Sequence, residues 1–454
     1  MFENIIEQGA VLQLRDDILC GRNAPSMLFF GPSASGKGSA ALELARVLSC
    51  VEDASWKCSC PSCERHRYLQ HDDLLMLGKR SFMSEISACC SVFLRNQNAA
   101  GAKLLFFRSL RKLQIRFSPV LMEDDPKFGK ISSVLQSLDE GLNEFLLTDT
   151  QTADRAALEK LCRALVKDAL TLESDGMGAV IPINHIRRAS YWCRLAPNGK
   201  RKTLIIENAE NMRDEARNSL LKLLEEPPSS VSIVLTALRR EAIMPTILSR
   251  LRPYRFLKRS AEDEKEVLNR VFKTQADLES AKLLPAGGKS PETGYSLISA
   301  YLDSFLPQNT EKLYPLAAWF VVSLARIAAL SFRKSGATDI PRFITALGER
   351  YAPIAETLGL ERSVKNADIV KTLLSQSGNF EDDSFSRFLK LCLDLAGSVA
   401  REAEEPQYVS YNDIFRKYIN ETVTAVDVLN QSTTLALEAL LHNLKTAVVR
   451  GRYG

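Results

Sequence analysis

Gly31-Pro32-Ser33-Ala34-Ser35-Gly36-Lys37 is the run with the most chemistry in it, and it fits G-x-x-x-x-G-K. Glycines let successive backbone N–H groups wrap a phosphate, a following helix adds its positive end, and Lys37 brings a point charge to the outer phosphates. A complete phosphate loop needs Ser or Thr next, because that hydroxyl ligates Mg²⁺. Gly38 stands there instead and has no ligand to offer, while Ser39 comes one position late, about 100° further around the helix. An ordinary glycine turn is the plain alternative. Thr203-Leu204-Ile205-Ile206-Glu207-Asn208-Ala209-Glu210 is the second stretch of interest. An apolar strand ending in acidic residues can position Mg²⁺ and a water-activating carboxylate beside a γ-phosphate. Glu207 takes the metal position, but Asn208 stands where a catalytic Glu is expected, and an amide cannot accept the attacking water's proton. Read alone, this stretch is equally a buried strand with a polar end.

Cys50, Cys58, Cys60 and Cys63 form C-x7-C-x-C-x2-C, four thiols within fourteen residues. Tetrahedral Zn²⁺ favours such soft, closed coordination. The pattern predicts a structural zinc, with His66 as a substitute ligand should the Cys58-Ser59-Cys60 spacing strain the site; the alternative is small buried side chains. Cys20, Cys89, Cys90, Cys162, Cys193 and Cys392 are scattered and read as core residues, and His71, His185 and His442 form no catalytic constellation.

These groups need elements to hold them. Met27 to Phe30 reads as a buried strand running into the glycine loop, and Ala40 to Leu48 as the helix after it. Thr203 to Ile206 and Ser232 to Leu235 read as further buried strands. Between them Asp214 to Glu226 reads as a helix stopped by Pro227-Pro228. Alternating strands and helices predict a parallel α/β sheet covered on both faces. Residues from about 80 to 178 are helical in pattern and interrupt that unit as an insertion. Within it Arg108, Arg111, Lys112 and Arg116 share a face opposite Phe107, Leu110 and Leu113. Such a stripe can track a phosphate backbone, but it reads more simply as the solvated side of an amphipathic helix. After Phe256 only helical patterns remain, broken at Pro285–Pro291 and Leu306–Asn309, with a long helix over Phe415–Leu444 interrupted at Asn430-Gln431-Ser432.

The 454 residues suggest about three domains at roughly 150 residues each. A balance of 59 basic against 55 acidic residues does not by itself announce nucleic acid. Glu3 and Glu7 do not suit an export signal, and the apolar run Leu313–Ala325 stops at Arg326, too short for a bilayer. The expectation is a cytoplasmic protein with no membrane contact, in a compartment where clustered thiols hold metal.

Taken together, these residues resemble bacterial clamp-loader AAA+ subunits of DNA polymerase III, most closely the delta-prime kind. The matching pieces are Asn4-Ile5-Ile6 with Gln8, the Gly31–Lys37 loop, the cysteine module directly after the first helix, and His71-Asp72-Asp73-Leu74. They continue with Ile186-Arg187, Ile205 to Met212, Asn218 to Pro228, Pro245 to Arg250, and Leu435 to Leu441. The resemblance covers residues 1–79 and 179–256 well and the C-terminal half only weakly. Leu251 replaces the usual Cys after Ser249-Arg250, the cysteine spacing is one short, and the insertion has no evident counterpart.

The resemblance implies an α/β P-loop NTPase-like (AAA+) domain over 1–256 with a zinc module at 50–63, a small helical lid over 257–306 and an all-α collar over 307–454. It implies a ring in which gamma/tau-like and delta-like subunits, the sliding clamp and primer–template DNA are partners. It also gives Arg250 the role of an arginine finger completing a neighbour's ATP site. Gly31, Ser33, Ala34, Ser35, Gly36, Lys37, Gly38, Ser39 and Glu207 would line this chain's own ATP site, stripped of its Mg²⁺ hydroxyl. Its own ATPase is then degenerate; no arginine occurs in Gly287–Gly294, near where an active lid carries its sensor. Two other readings remain, an ATP-hydrolysing gamma/tau-like subunit and an AAA+-like zinc-binding scaffold outside replication.

Overall fold

A computed structural model describes residues 1–123, 125–178, 180–272, 296–303, 305, 313–334, 340–356, 358–360, 365–377, 384–402, 406–427 and 431–450. The chain divides into two units, Met1–Asp277 with Ser296–Leu302 and Leu278–Tyr295 with Asp303–Gly454. The expected breaks at Pro285–Pro291 and Leu306–Asn309, and the Gly287–Gly294 segment, lie outside the described residues.

The first unit is built on a five-stranded sheet, β1 Ser26–Phe30, β2 Leu74–Leu77, β3 Lys202–Ile206, β4 Val231–Ala237 and β5 Arg252–Arg255, in the order β2-β3-β4-β1-β5. Every pairing is parallel. Apolar cores lie on both of its faces. One joins Met27, Phe29 and Ile205 to Leu44 and Val47 of helix Lys37–Ser49. The other joins Leu28, Leu204 and Ile206 to Leu220 and Leu223 of helix Asp214–Glu225. Strands buried on both faces read as continuous apolar runs, which is why β1, β3 and β4 are legible in the sequence. β4 lies between β1 and β3 and pairs in parallel with both, so the loops leaving β1 and β3 open at the same sheet end, as ligand sites in parallel sheets require.

Two strands escape the sequence reading. β2, Leu-Leu-Met-Leu, is four buried residues, too short to distinguish from helix by periodicity. β5, Arg-Pro-Tyr-Arg, carries a proline, which is tolerated because β5 is the sheet's edge.

The chain leaves the sheet between β2 and β3, as the insertion requires. It builds helices Met83–Arg95, Ala100–Gln114, Phe128–Leu147 and Arg155–Thr171 around Phe93, Phe106 and Phe145, whose rings meet at 5.0–6.2 Å. In the region expected as a lid, helices Ala261–Phe272 and Leu297–Asp303 are described, with Phe272 and Tyr301 rings 5.2 Å apart.

The described elements of the second unit are all helices: Leu313–Lys334, Arg342–Glu356, Asn366–Ser377, Ser384–Glu402, Pro406–Asp427 and Thr433–Arg450. Its core gathers Phe320, Phe343, Leu347, Tyr351, Phe388, Phe415 and Leu441. The apolar run at Leu313 belongs to a 22-residue helix, longer than the sequence suggested. Its Leu313–Arg333 stretch is long and apolar enough to cross a membrane, but 72% of the apolar window is buried against neighbouring helices, as in a core helix. The interruption expected at Asn430-Gln431-Ser432 falls between helices Pro406–Asp427 and Thr433–Arg450, with residue 430 itself outside the described residues.

Candidate nucleotide and metal sites

β1 delivers the glycine loop directly onto helix Lys37–Ser49. Gly36 is that helix's N-cap at φ +96°, a left-handed conformation that needs glycine. The local fold thus keeps the backbone cradle and helix N-terminus that suit a phosphate. Within it the Lys37 ammonium donates to the carbonyls of Gly31 and Pro32, each at 2.6 Å. Ser35 donates its hydroxyl to Pro32 O at 2.8 Å, and Ser33 and Ser39 are exposed. Arg259, which sequence reading missed, is buried over the loop and donates to Ala34 O. No local motif marks it; only the fold carries it there from beyond β5.

The carboxylate side of the loop departs from what a metal needs. A Cβ placed on Gly38 would sit 2.7 Å from Glu207 Oε1, so the carboxylate packs against the glycine. Glu207 Oε2 meets Arg116 Nη2, and also Arg80 Nε at 3.3 Å. Burial opposes ionisation of Glu207, but Arg116 and Arg80 overcome it and hold its pKa below the usual carboxylate range. Mg²⁺ demands oxygen ligands in near-octahedral geometry. Here the hydroxyl is missing and the carboxylate is already engaged by two guanidinium groups, so these residues do not fit the ion.

Asn208 adopts a left-handed conformation, φ +51°, which Asn tolerates better than most residues. Its Nδ2 donates to Lys79 O at 2.7 Å, and its backbone N–H to Thr236 Oγ1 at 3.1 Å. A carboxylate at 208 could not donate that first bond, so the amide holds the β2 and β3 loops together. Gly78, at φ +107°, permits the same approach, since any Cβ there would overlap the Glu207 carbonyl.

The basic stripe of the insertion is not a solvated face. Arg108 donates to the carbonyls of His66 and Arg67, and Arg111 to Leu69 O at 3.0 Å. These carbonyls lie at and just beyond the end of helix Pro61–Arg67, where unpaired acceptors need donors. Lys112 pairs with Glu85, and Arg116 with Glu207. The stripe therefore fastens the insertion to the cysteine module and to the β3 loop, through partners that sequence spacing could not reveal.

Glu85 sits between Lys112 and Arg80. Burial raises its pKa, the two cations lower it more, and it ends at about 2 against a reference of 4.5. Because the folded value is depressed, this group's stabilisation is complete above about pH 4.5 and is lost as pH falls toward 2. Thermal melts of the wild type should therefore weaken through that window more than those of Glu85→Gln; an equal acid sensitivity in both would sink the assignment.

Cys50, Cys58, Cys60 and Cys63 converge as buried thiols, all four Sγ atoms within 4.8 Å of one another. Cys50 Sγ lies 3.6 Å from Cys58 Sγ and 3.8 Å from Cys60 Sγ. Zn–S bonds of ~2.3 Å in a tetrahedron put sulfurs ~3.8 Å apart, so the four residues suit a metal ion. Backbone N–H groups of Glu52 and Ala54 donate to Cys50 Sγ, and that of Cys63 to Cys60 Sγ. Arg46 Nη1 donates to Cys63 Sγ at 3.0 Å while its other nitrogens grip Glu43. A buried cation there offsets part of the negative charge of four thiolates.

His66 is not in the cluster. Its ring stacks on His71 at 4.1 Å between centroids, and burial lowers its pKa to about 2, leaving it neutral. His71 Nδ1 accepts from Asp73 N–H, which assigns the proton to Nε2 and directs it at Ser62 Oγ, 3.1 Å away. Asp73 in turn accepts from the backbone of Asn198 and Gly199 at 2.9 and 2.6 Å. Of the scattered cysteines, Cys89, Cys90, Cys162, Cys193 and Cys392 are buried as expected, but Cys20 is exposed, because helix Gly9–Leu19 ends there at the surface.

Arg250 is exposed just past helix Pro245–Leu248. Its Nη2 pairs with Glu225 Oε1 at 2.8 Å and Nη1 donates to Thr246 O at 2.7 Å.

Comparison with known proteins gives this arrangement a context. The family described as "DNA polymerase III, delta subunit" matches residues 6–115 and 144–260, half of the chain, breaking only at 116–143 inside the insertion. Most of the insertion therefore lies within the match, contrary to the expectation that it has no counterpart. DNA polymerase III subunit delta' of Pseudomonas aeruginosa is 29% identical over 143 residues, 30% of this chain and 44% of that protein. DNA polymerase III subunit gamma/tau of Mycobacterium tuberculosis H37Rv is 24% identical over 139 residues, 30% of this chain and 24% of that one. The chain thus aligns with less than half the length of these relatives. A crystal structure of a DNA polymerase III gamma subunit-related protein from Thermotoga maritima covers 60% of this chain and 81% of its own, at 18% identity and a TM-score of 0.28. On the family match, which takes in the phosphate loop, the cysteine cluster and β1 to β5, the chain belongs to the DNA polymerase III delta-subunit family.

Proposed function

We propose that this chain is a non-hydrolysing AAA+ subunit of the replicative clamp loader, helping to load the sliding clamp onto primer–template DNA in the cytoplasm. In this reading it assembles with gamma/tau-like and delta-like subunits through a collar over 307–454, carries a lid over 257–306 and a structural zinc at the four cysteines, and donates Arg250 to a neighbour's ATP site. The observation that carries it is the contact of Gly38 with Glu207. Where a hydrolysing site has a hydroxyl and a free carboxylate for Mg²⁺, this chain has a glycine and a carboxylate held by arginines. Asn208, occupied with Lys79 O, withholds a base for water.

ATP, if it binds, is held by the loop backbone and Lys37 without turnover. Purified alone, the chain should hydrolyse ATP at a background rate, and mixed with clamp-loader partners it should elute as one complex. Losing both the metal ligand and the water-orienting group removes two contributions to one transition state, each commonly worth about 10²-fold or more. Steady turnover abolished by Lys37→Ala would instead establish the gamma/tau-like alternative, toward which the Mycobacterium relative leans. Failure to join any clamp-loader subunit would favour a scaffold outside replication.

A further inference from the structure

The insertion reaches the Glu207 carboxylate through Arg116, whose side chain is buried, and through Arg80 at its edge. Arg116 sits in the short turn Ile115–Phe117 that follows helix Ala100–Gln114, and it is the first residue beyond the matched stretch 6–115. Only 4% of it is exposed. Its Nη2 meets Glu207 Oε2, its Nη1 donates to Leu77 O at 2.8 Å, and its guanidinium carbon lies 5.6 Å from the centre of the Phe82 ring. Arg80 lies 4.4 Å from the centre of that ring, with Nε on Glu207 and Nη2 on Glu85 at 2.8 Å. Lys112 closes the series on Glu85. Charges therefore alternate from Arg116 through Glu207, Arg80 and Glu85 to Lys112, from the β3 loop into the insertion.

We propose that Arg116 is a resident cation that takes the place of the divalent metal beside the phosphate loop, so that the insertion locks the Glu207 carboxylate and closes the site to Mg²⁺. The chemistry is consistent on each side. A guanidinium is always charged and forms directional bonds to carboxylate and carbonyl oxygens, both of which Arg116 makes. A divalent ion approaching Glu207 would face Arg116 and Arg80 at contact distance and find no hydroxyl on Gly38. Evicting Arg116 would strand a guanidinium in a site with little access to water, which is costly unless a new partner is found. The substitution also gives part of the insertion a role: it supplies internally, and permanently, the charge that other nucleotide sites take from solution. Any nucleotide held by the loop would then bind equally with or without divalent metal.

Two measurements on the full chain test this. In the first, Mn²⁺ is titrated with a non-hydrolysable ATP analogue and followed by electron paramagnetic resonance. The wild type should hold no Mn²⁺ beyond that bound by the nucleotide alone; one tightly held equivalent that disappears in Glu207→Gln overturns the proposal. In the second, melting temperatures are compared for Arg116→Gln, Glu207→Gln and the double variant. Each single variant strands the other's buried charge and should melt roughly 10 °C lower, whereas the double variant should lose no more than the worse single one. Losses that simply add overturn the proposal. If the single variants do not fold, the wild-type titration decides, since a tight Mn²⁺ equivalent in the presence of the analogue contradicts a closed site. The inference rests on the non-hydrolysing reading, and the failures separate. A bound metal at Glu207 sinks both, additive variants sink this one alone, and failure to join clamp-loader partners sinks only the other.

Discussion

Arg250→Ala should leave the chain folded and able to join its partners, yet cut turnover at the neighbouring ATP site by a factor of roughly 10³–10⁵, the range that arginine fingers contribute. The two halves of this expectation come from different physics. Within the chain Arg250 makes a surface pair with Glu225, the side chains 34% and 50% exposed. Such pairs contribute no more than about 1 kcal/mol, so stability should hardly change. Across an interface, a planar guanidinium can bond two phosphate oxygens where negative charge develops, an effect available only in the assembled complex. Arg250→Lys keeps the charge and loses the fork, and should not rescue. Glu225→Gln removes the ion pair on Nη2 and should leave turnover intact. The measurement is clamp- and DNA-stimulated ATPase of complexes carrying each variant. Normal hydrolysis and clamp loading with Arg250→Ala would remove the finger and leave Arg250 as a local ion pair.

The other large effect concerns the cysteine cluster. One equivalent of zinc should survive dialysis, and its removal should unfold the segment from Cys50 to Leu69. Structural zinc sites in small domains bind with about 10–16 kcal/mol of apparent free energy, much of it used to fold the surrounding loop. Here the consequences spread through Arg46, which links Cys63 to Glu43, and through Glu43 to the Phe2 backbone. They also spread through the carbonyls of His66, Arg67 and Leu69, on which Arg108 and Arg111 of the insertion rest. Cys63→Ser should therefore increase hydrogen exchange over residues 50–69 and also loosen helix Ala100–Gln114. Protein prepared under reducing conditions and found free of zinc would contradict this. Loss of zinc with unchanged exchange would confine the metal to a passive role.

Other features divide by the range of the forces that make them. The phosphate loop, the cysteine module, β1, β3, β4 and the helix Asp214–Glu225 are legible in the sequence because each is local. Glycines at fixed spacing define a turn, four cysteines within a few turns of chain can reach one ion, and doubly buried strands are continuous apolar runs. The departures from the motif at Gly38 and Asn208 are legible for the same reason: they are residue types at fixed offsets from it. β2 and β5 are four residues each and acquire strand geometry only by pairing with β3 and β1, so nothing local marks them.

The insertion shows the limit most clearly. Its basic stripe has the periodicity of a solvated helix face, and periodicity cannot say what a charge meets. Its partners are carbonyls some 42 residues back along the chain, Glu85 on the preceding helix, and the carboxylate of Glu207, 91 residues ahead. Likewise Arg259 covers a loop 225 residues earlier. Sequence by itself determined which groups this chain can present, a phosphate loop without its metal hydroxyl, four clustered thiols and an arginine at a domain edge. Tertiary structure alone decided which charges neutralise which, because burial makes ion pairs selective only once distant segments are packed against one another.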